Sequence, residues 1–527
     1  FCSLSLAHAQ PQDWNNIGGN AQQNGLVSVV GPDAPDLLWQ GGEFSYIPWQ
    51  PFIEGRRLFT VRQNEFPSNI ELGNSNSTDS HIIAMNLDTG AELWRANLPF
   101  DQIKDVPPDP ELDDFLFPRS WLPEVYTDFT TWIVGVSNGR LYASRSGNGG
   151  QVASPLYCLD AATGAILWST AGTGPGDPNR STIHTGTYSG GLFAPNGDPV
   201  IASPTYIDRY DKLTGARLWR TPRQANVWEH ASAAIFGNAV YIVDLVGGLN
   251  RLKRFNLTTG EFEYQGPPMA GGNLENGPFI GLDGRIYVPR AQNLDASQDL
   301  LHSFTDTGTE IVRNWAVVAH GGGAAARWGV GPDGSIYSMS WTGTPINTES
   351  YGQLQRLNPV TGAVINESTT TIRAAYMQIH MAIDSRGVLY VSNGHGGGPT
   401  WPNTGMLYSF NADLTERWSV GTGDNLNQGG PILGTDGTLV LAGVNNDIWA
   451  YRTIRNQSCG LSDVAGPGQS IGSDNALTAD DIIVFLNWFF ASDARADVAG
   501  PGQSTTTDGQ FTADDIIVFL NRFFVGC

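Results

Sequence analysis

Two runs of carboxylates near the end of the chain recur at matched spacings. Asp463-Val-Ala-Gly-Pro-Gly-Gln-Ser470 and Thr478-Ala-Asp-Asp-Ile-Ile-Val-Phe-Leu-Asn487 return 34 residues later as Asp497 to Ser504 and Thr512 to Asn521. In each copy the carboxylates and a small-residue turn lead straight into an amphipathic helix, the arrangement by which a loop holds a hard cation such as calcium on oxygen donors. A standard loop of this kind uses donors at positions 1, 3, 5, 7, 9 and 12, with Gly at position 6 for the turn. Counted back from the second helix, Asp515 takes position 12, Thr512 position 9, Gln510 position 7 through its carbonyl, Gly509 position 6 and Asp508 position 5. Position 1 then falls on Ser504, whereas the better donor, Asp497, lies eleven residues before Asp508. The first copy matches: Asp481, Thr478, Ala476, Asn475 and Asp474 are in place, and Asp463 again stands eleven residues ahead. Both loops therefore share one seven-residue insertion. The expectation is two calcium ions, one on Asp463, Asp474, Ala476, Thr478 and Asp481, the other on Asp497, Asp508, Gln510, Thr512 and Asp515.

The helices behind these loops are too apolar to stand alone. Ile482, Ile483, Phe485, Leu486, Phe489 and Phe490, with their counterparts Ile516, Ile517, Phe519, Leu520, Phe523 and Phe524, are expected to pack mostly on each other in a small all-α core. Trp488 and Arg522 occupy equivalent positions and break the symmetry, which marks them for a partner-facing surface. Cys459 and Cys527 bracket the repeat pair, and in an exported protein a bond between them would clamp its ends, worth about 4 kcal/mol in the chain-entropy model. Cys158, in Leu156-Tyr-Cys-Leu159, reads as a small buried apolar residue.

Over all 527 residues the formal net charge of -22 argues against nucleic acid or an anionic membrane as partner, because the field repels phosphate. Residues 1–10 end an apolar run with Ala7-His8-Ala9, a small-x-small site like that of a secretion signal, so the expected location is secreted, extracellular or attached at the cell surface. No stretch approaches the roughly 18 to 20 apolar residues of a membrane-spanning helix.

Residues 11–455 are rich in Gly, Trp and Tyr and carry a second repeat, apolar-x-apolar-Asp/Asn-x-x-Thr-Gly-x-x-x-Trp. It reads Ile83 to Trp94, Leu159 to Trp168 and Tyr210 to Trp219, with worn copies at Phe255 to Tyr264, Phe304 to Trp315, Leu357 to Ile365 and Phe410 to Trp418. Each predicts a β-hairpin whose Gly supplies a positive φ, and the spacing between closing positions leaves room for four short strands per unit. That is the period of an all-β propeller. Trp39 supplies an eighth closing position, and its missing partner is the final strand Asp447-Ile-Trp-Ala-Tyr451, so the ring has eight blades, with seven as the alternative. Phe100 to Asp114 is an acidic insertion in the second blade.

Asp13-Trp-Asn-Asn-Ile-Gly-Gly-Asn-Ala-Gln-Gln-Asn-Gly25 together with Ala84 to Trp94 resembles the pyrroloquinoline-quinone-type repeat propellers. The resemblance implies that Trp94, Trp168, Trp219, Trp315 and Trp418 pack between blades. Family members are quinone-dependent dehydrogenases or cofactor-free scaffolds. The alcohol-oxidising members commonly carry a vicinal Cys-Cys pair, and some a Cys-x-x-Cys-His, and this chain has neither, which argues against the quinone cofactor and toward a protein that is not an enzyme. Aligning the inner strands gives His230, Glu275, Arg327, Gln378, His380 and Gln428 as candidate ligand-binding residues at the channel mouth.

Residues 456–527 resemble dockerins, and the Cys459-Gly460 start with the Gly526-Cys527 end is similar to the GC type. The resemblance implies a cohesin-like or other cell-surface protein as partner, recognised by Ala479, Asp480, Ala513 and Asp514 beside Trp488 and Arg522. The resulting expectation is a secreted, non-catalytic propeller that binds or scaffolds, tethered by a calcium-dependent tail. The alternatives are a quinone-dependent dehydrogenase or carbohydrate-active enzyme on the same tail, and a structural subunit whose tail docks on the next copy to build a filament.

Overall fold

The computed structural model describes residues 13–45, 50–63, 80–98, 130–146, 156–170, 191–202, 206–224, 233–270, 277–290, 300–318, 328–342, 351–373, 380–393, 405–423, 429–444, 447–453, 462–466, 468–472, 477–504 and 507–525. The leader-like residues 1–10, the insertion 100–114, Cys459 and Cys527 fall outside them. The chain divides into two compact units, Phe1–Arg452 and Thr453–Cys527.

The first unit is an eight-bladed β-propeller. Blade 1 is the antiparallel sheet Phe52–Glu54, Arg57–Arg62, His81–Asn86 and Glu92–Ala96. Six further four-stranded sheets follow in chain order, with inner strands Thr130–Ser137, Leu192–Phe193, Ala234–Phe236, Phe279–Ile280, Gly329–Val330 and His380–Ile383. Blade 8 takes Gly429–Leu433, Leu439–Ala442 and Ile448–Tyr451 from the end of the ring and its outer strand, Leu37–Gly41, from the beginning. Trp39 stands opposite Ala450 and Gln40 opposite Trp449, so the ring closes through the pair expected from sequence. Arg56 and Arg452 each reach both Asp88 and Asp436 across this seam.

Burial follows position in the blade. Inner and middle strands such as Pro199–Ala202 and Leu389–Ser392 are buried along their whole length, because both their faces meet neighbouring blades. Outer strands alternate with period two, as in Ile311–Val318, because one face meets solvent.

The Asp/Asn-x-x-Thr-Gly turns join the third and fourth strands, and every residue type in them has a task. Asp160 Oδ1 accepts from the Ala162 and Thr163 amides, 2.8 and 2.9 Å, and Asp211, Asn86, Asn256 and Asn358 do the same in their turns. The glycines sit at positive φ, 70° at Gly90 and 72° at Gly215. Each also receives a tryptophan from the preceding blade. A Cβ at Gly90 would lie 2.6 Å from the Trp39 ring, at Gly164 2.6 Å from Trp94, at Gly215 2.5 Å from Trp168, at Gly260 2.6 Å from Trp219 and at Gly362 2.9 Å from Trp315. Four of these indoles donate Nε1–H to the same turn, Trp39 to the Leu87 carbonyl at 2.8 Å, Trp94 to Ala161 at 3.1 Å, Trp168 to Lys212 at 3.1 Å and Trp219 to Leu257 at 3.2 Å. The tryptophans are the joints between blades.

Gly139 offers a control for these joints, since it has the same φ of 72° and no atom within 4 Å of its Cβ position. Gly139→Ala is expected to cost about 1 kcal/mol from backbone strain alone. Gly215→Ala adds the collision with Trp168, about 1 to 3 kcal/mol more. Denaturant titration of the two variants checks the difference, and equal losses would remove the ring contact from the account.

Candidate functional site

His230, Glu275, Arg327, Gln378 and Gln428 lie outside the described residues, and His380 opens the strand His380–Ile383 with its backbone opposite Ser392. At the other end of the inner strands, where they turn into the second strands, the segment 13–29 crosses the ring. Its carbonyls accept from inner-strand amides around the circle: Trp14 from Ile53, Asn15 from Val136, Ala21 from Ile235, Gln22 from Ile280, Asn24 from Val330 and Gly25 from Ile383, all at 2.8 to 3.0 Å. Asp13 adds Gly55 and Thr435, which joins blades 1 and 8. Trp14 is 1 % exposed at the centre. The Asp13–Gly25 motif is therefore a floor that stitches seven blades together.

The buried charges of the ring also serve the blades. Arg223 and Lys253 both pair with Asp244 in blade 4, and Arg220 pairs with Asp208 in blade 3. Cys158 is fully buried, and burial pushes its thiol up to about 12, so it stays protonated and inert as a nucleophile. Among the described residues no group of three His, Cys, Asp or Glu side chains stands close enough to hold a metal ion.

At the seam between blades 4 and 5 the tryptophan joint is replaced by a polar one. The closing residue is Tyr264, and its hydroxyl donates to Asp306 Oδ1 at 2.6 Å, while Tyr241 donates to Oδ2 at 2.5 Å and Arg254 lies 2.8 Å from the same oxygen. Burial raises the Asp306 pKa, but the two hydroxyls, the Gly308 amide and the Arg254 charge outweigh it and hold the carboxyl below its ordinary value. In the same blade His302 is buried at 1 %, its Nε2–H directed at the Ala270 carbonyl. Burial, with the Arg313 and Arg290 charges, pushes it down to about 4.

The C-terminal unit holds two helices, α1 (Ala479–Phe490) and α2 (Ala513–Val525). Phe485 stacks on Phe519 at 3.8 Å between centroids, and Ile482, Leu486, Phe489, Ile516, Leu520 and Phe523 surround that pair, as the sequence leads one to expect. Thr478 caps α1, accepting from the Asp480 amide at 3.2 Å, and Asp481 reaches back to the Thr478 amide at 2.7 Å. Thr512 and Asp515 repeat this at α2, 3.3 and 2.8 Å. Asp481 Oδ1 also accepts from the Val464 and Ala465 amides, and Asp515 Oδ1 from Val498 and Ala499, all at 2.8 to 2.9 Å. Asp480 and Asp514 each accept one loop amide, from Gly468 and Gly502, at 3.0 Å. Asp497 accepts from the Asp508 and Gly509 amides at 3.2 and 2.7 Å, and Asp508 from Gln510 at 2.8 Å. Asp463 is buried, while Asp474 and Ala476 lie outside the described residues.

Trp488 is half-buried with the Arg495 guanidinium 4.2 Å above its ring, and Arg522 is half-buried in the last turn of α2. Ala479 and Ala513 are exposed at the helix starts. The most exposed large apolar groups among the unit's described residues are Phe490 at 79 % and Phe524 at 77 %, each with an isoleucine seven residues before it on the same helix face, Ile483 and Ile517. The signal was present in the paired phenylalanines: adjacent positions on a helix lie about 100° apart, so one core cannot take both.

The ring of tryptophan-jointed blades defines an eight-bladed β-propeller. Residues 78–267 match the family model described as outer membrane protein assembly factor BamB. Among solved structures, a europium-containing methanol dehydrogenase is 10 % identical, with 82 % of this chain and 90 % of that chain covered and a TM-score of 0.52. The quinohemoprotein alcohol dehydrogenase from Comamonas testosteroni is 12 % identical over 98 % of this chain and 91 % of its own, with a TM-score of 0.52. Quinohemoprotein alcohol dehydrogenase ADHIIG from Pseudomonas putida HK5 is 13 % identical, covering 84 % and 80 %, with a TM-score of 0.50. These likenesses show the fold. No curated protein matches the sequence.

Acid is expected to weaken the ring in two windows. His302 binds its proton more readily when unfolded, so stability present above pH 6.5 falls as the pH drops toward 4, by about 3 kcal/mol in all. Asp306, depressed in the fold, adds stability that is present above pH 3.8 and lost as the pH falls through its folded value. Unfolding midpoints against pH for the parent, His302→Gln and Tyr264→Phe check this. His302→Gln is expected to flatten the upper window, and Tyr264→Phe to cost about 1.5 to 3 kcal/mol at neutral pH through one bond to a charged group.

Proposed function

We propose that this chain is an exported, non-catalytic propeller held on a protein at the cell surface or in the extracellular matrix by its C-terminal helix pair. The observation that carries the reading is the duplicated apolar stripe, Ile483 with Phe490 on α1 and Ile517 with Phe524 on α2. Both copies pack their other helix phenylalanines into or against the shared core and leave the same one in solvent. A side chain of that size left more than three-quarters exposed twice, at equivalent positions, fits a surface that meets another protein. The partner is a cohesin-like or similar protein with an apolar docking face, and the net charge of -22 disfavours a polyanionic one. For the propeller, the buried ion pairs, the inert Cys158 and the stitched floor all support a rigid presenting platform. The leader-like Leu4 to Ala9 run supports export.

Full-length chain immobilised against an envelope-protein extract from its source should retain a partner. Phe490→Ser with Phe524→Ser should weaken that retention by about 30-fold or more, since even one such aromatic anchor is worth about 2 kcal/mol. Equal retention by parent and variant would sink the attachment reading. Separately, pyrroloquinoline quinone with calcium should give neither a bound-quinone absorbance nor dye reduction with alcohols or sugars, and turnover in that assay would replace the scaffold with a dehydrogenase.

A further inference from the structure

We infer that the C-terminal unit folds without calcium, because the ligand-position carboxylates Asp481, Asp497, Asp508 and Asp515 are taken up by the protein's own backbone N–H groups. The inference concerns how the unit is held together and stands whichever partner the unit docks on.

In the second loop Asp497, Asp508, Gln510, Thr512 and Asp515 are all among the described residues. In a calcium loop the carboxylate at position 12 binds the ion with both oxygens at about 2.3 to 2.6 Å. Asp515 holds that position, is completely buried, and has three amides on it: Val498 at 2.8 Å and Ala499 at 2.9 Å on Oδ1, Thr512 at 2.8 Å on Oδ2. A carboxylate offers about four lone-pair sites, so no pair of free sites, one on each oxygen, faces a common point with the amides in place. Asp481 is the same group in the first copy. It carries the Val464, Ala465 and Thr478 amides at 2.8, 2.9 and 2.7 Å, and the Thr478 hydroxyl at 3.3 Å.

The insertion shared by both loops explains the change of role. It separates Asp497 from Asp508 by eleven residues, where the standard loop allows about four. The longer loop folds back so that Asp497 caps the Asp508-Gly509 turn, with one oxygen on each amide. Asp508 in turn accepts from Gln510. Amides converging on a carboxylate present the positive ends of their dipoles, so the space around these oxygens already carries the charge compensation that a cation would supply. Asp481 and Asp515, each with two amides already on Oδ1, therefore do not fit as bidentate calcium ligands, and these amide bonds are another means of holding the loops in shape.

Hydrogen exchange on the full-length chain, read by mass spectrometry over peptides within 462–525, tests this. Rates in a chelator and in about 1 mM calcium should agree within about twofold, whereas an ion bound at a hundredfold excess over its dissociation constant would slow exchange from the unfolded unit by about 100-fold. Slowing of that order confined to these peptides overturns the inference. Asp515→Asn should speed exchange at Val498 and Ala499 equally in both buffers. If that variant fails to fold, Asp508→Asn takes its place, and an effect of Asp508→Asn that appears only with calcium overturns the inference equally.

Discussion

A tryptophan ring laid on a glycine of the next blade is the contact on which the propeller depends. A four-stranded sheet has two apolar faces and cannot stand alone, so each blade needs a neighbour at fixed angle and distance. Trp39, Trp94, Trp168, Trp219 and Trp315 set that distance by covering the turns at Gly90, Gly164, Gly215, Gly260 and Gly362. The glycine is required twice over, once for its positive φ and once because a Cβ has no room beneath the indole. The Asx bonds of Asn86, Asp160 and Asp211 hold the turn rigid under the ring.

The seams that abandon this contact show what it supplies. Where Tyr264 replaces the tryptophan, the glycine, Gly308, has no atom within 4 Å of its Cβ position, and the joint moves to Asp306 with its two tyrosines and an arginine. Where Ile365 replaces it, Leu414 takes the positive φ in the next turn and is itself buried at 2 %. A link between blades is kept at each of these seams while its chemistry changes. The floor formed by residues 13–29 adds a second set of links at the inner edge, so the ring is fastened on two circles.

The C-terminal unit uses a repeat in a different way. Its motif Thr-Ala-Asp-Asp is a capping box extended by two bonds to the preceding loop, and the same aspartate satisfies helix N-terminus and loop together. Two such units share one aromatic core, Phe485 on Phe519, and leave one phenylalanine each outside it.

Local chemistry made much of this legible in the sequence. The Asp/Asn-x-x-Thr-Gly turns, the count of eight blades and the closure of Trp39 on the last strand follow from periodicity and turn type, which depend on neighbours within a few residues. The packing of the two C-terminal helices follows from their apolar faces. What a carboxylate does is another matter. Asp481 and Asp515 look like cation ligands in sequence because spacing records which residues can reach a point, and only the folded chain decides whether an ion or a backbone amide occupies it. Trp488 and Phe490 are both large and apolar in sequence, yet Arg495 covers one while the other makes an edge contact with the Phe489 ring and stays 79 % exposed. The sequence by itself determined the repeats and the shape of the turns. The tertiary structure decided which oxygens were already satisfied and which apolar faces were left over, because both depend on groups brought together from distant parts of the chain.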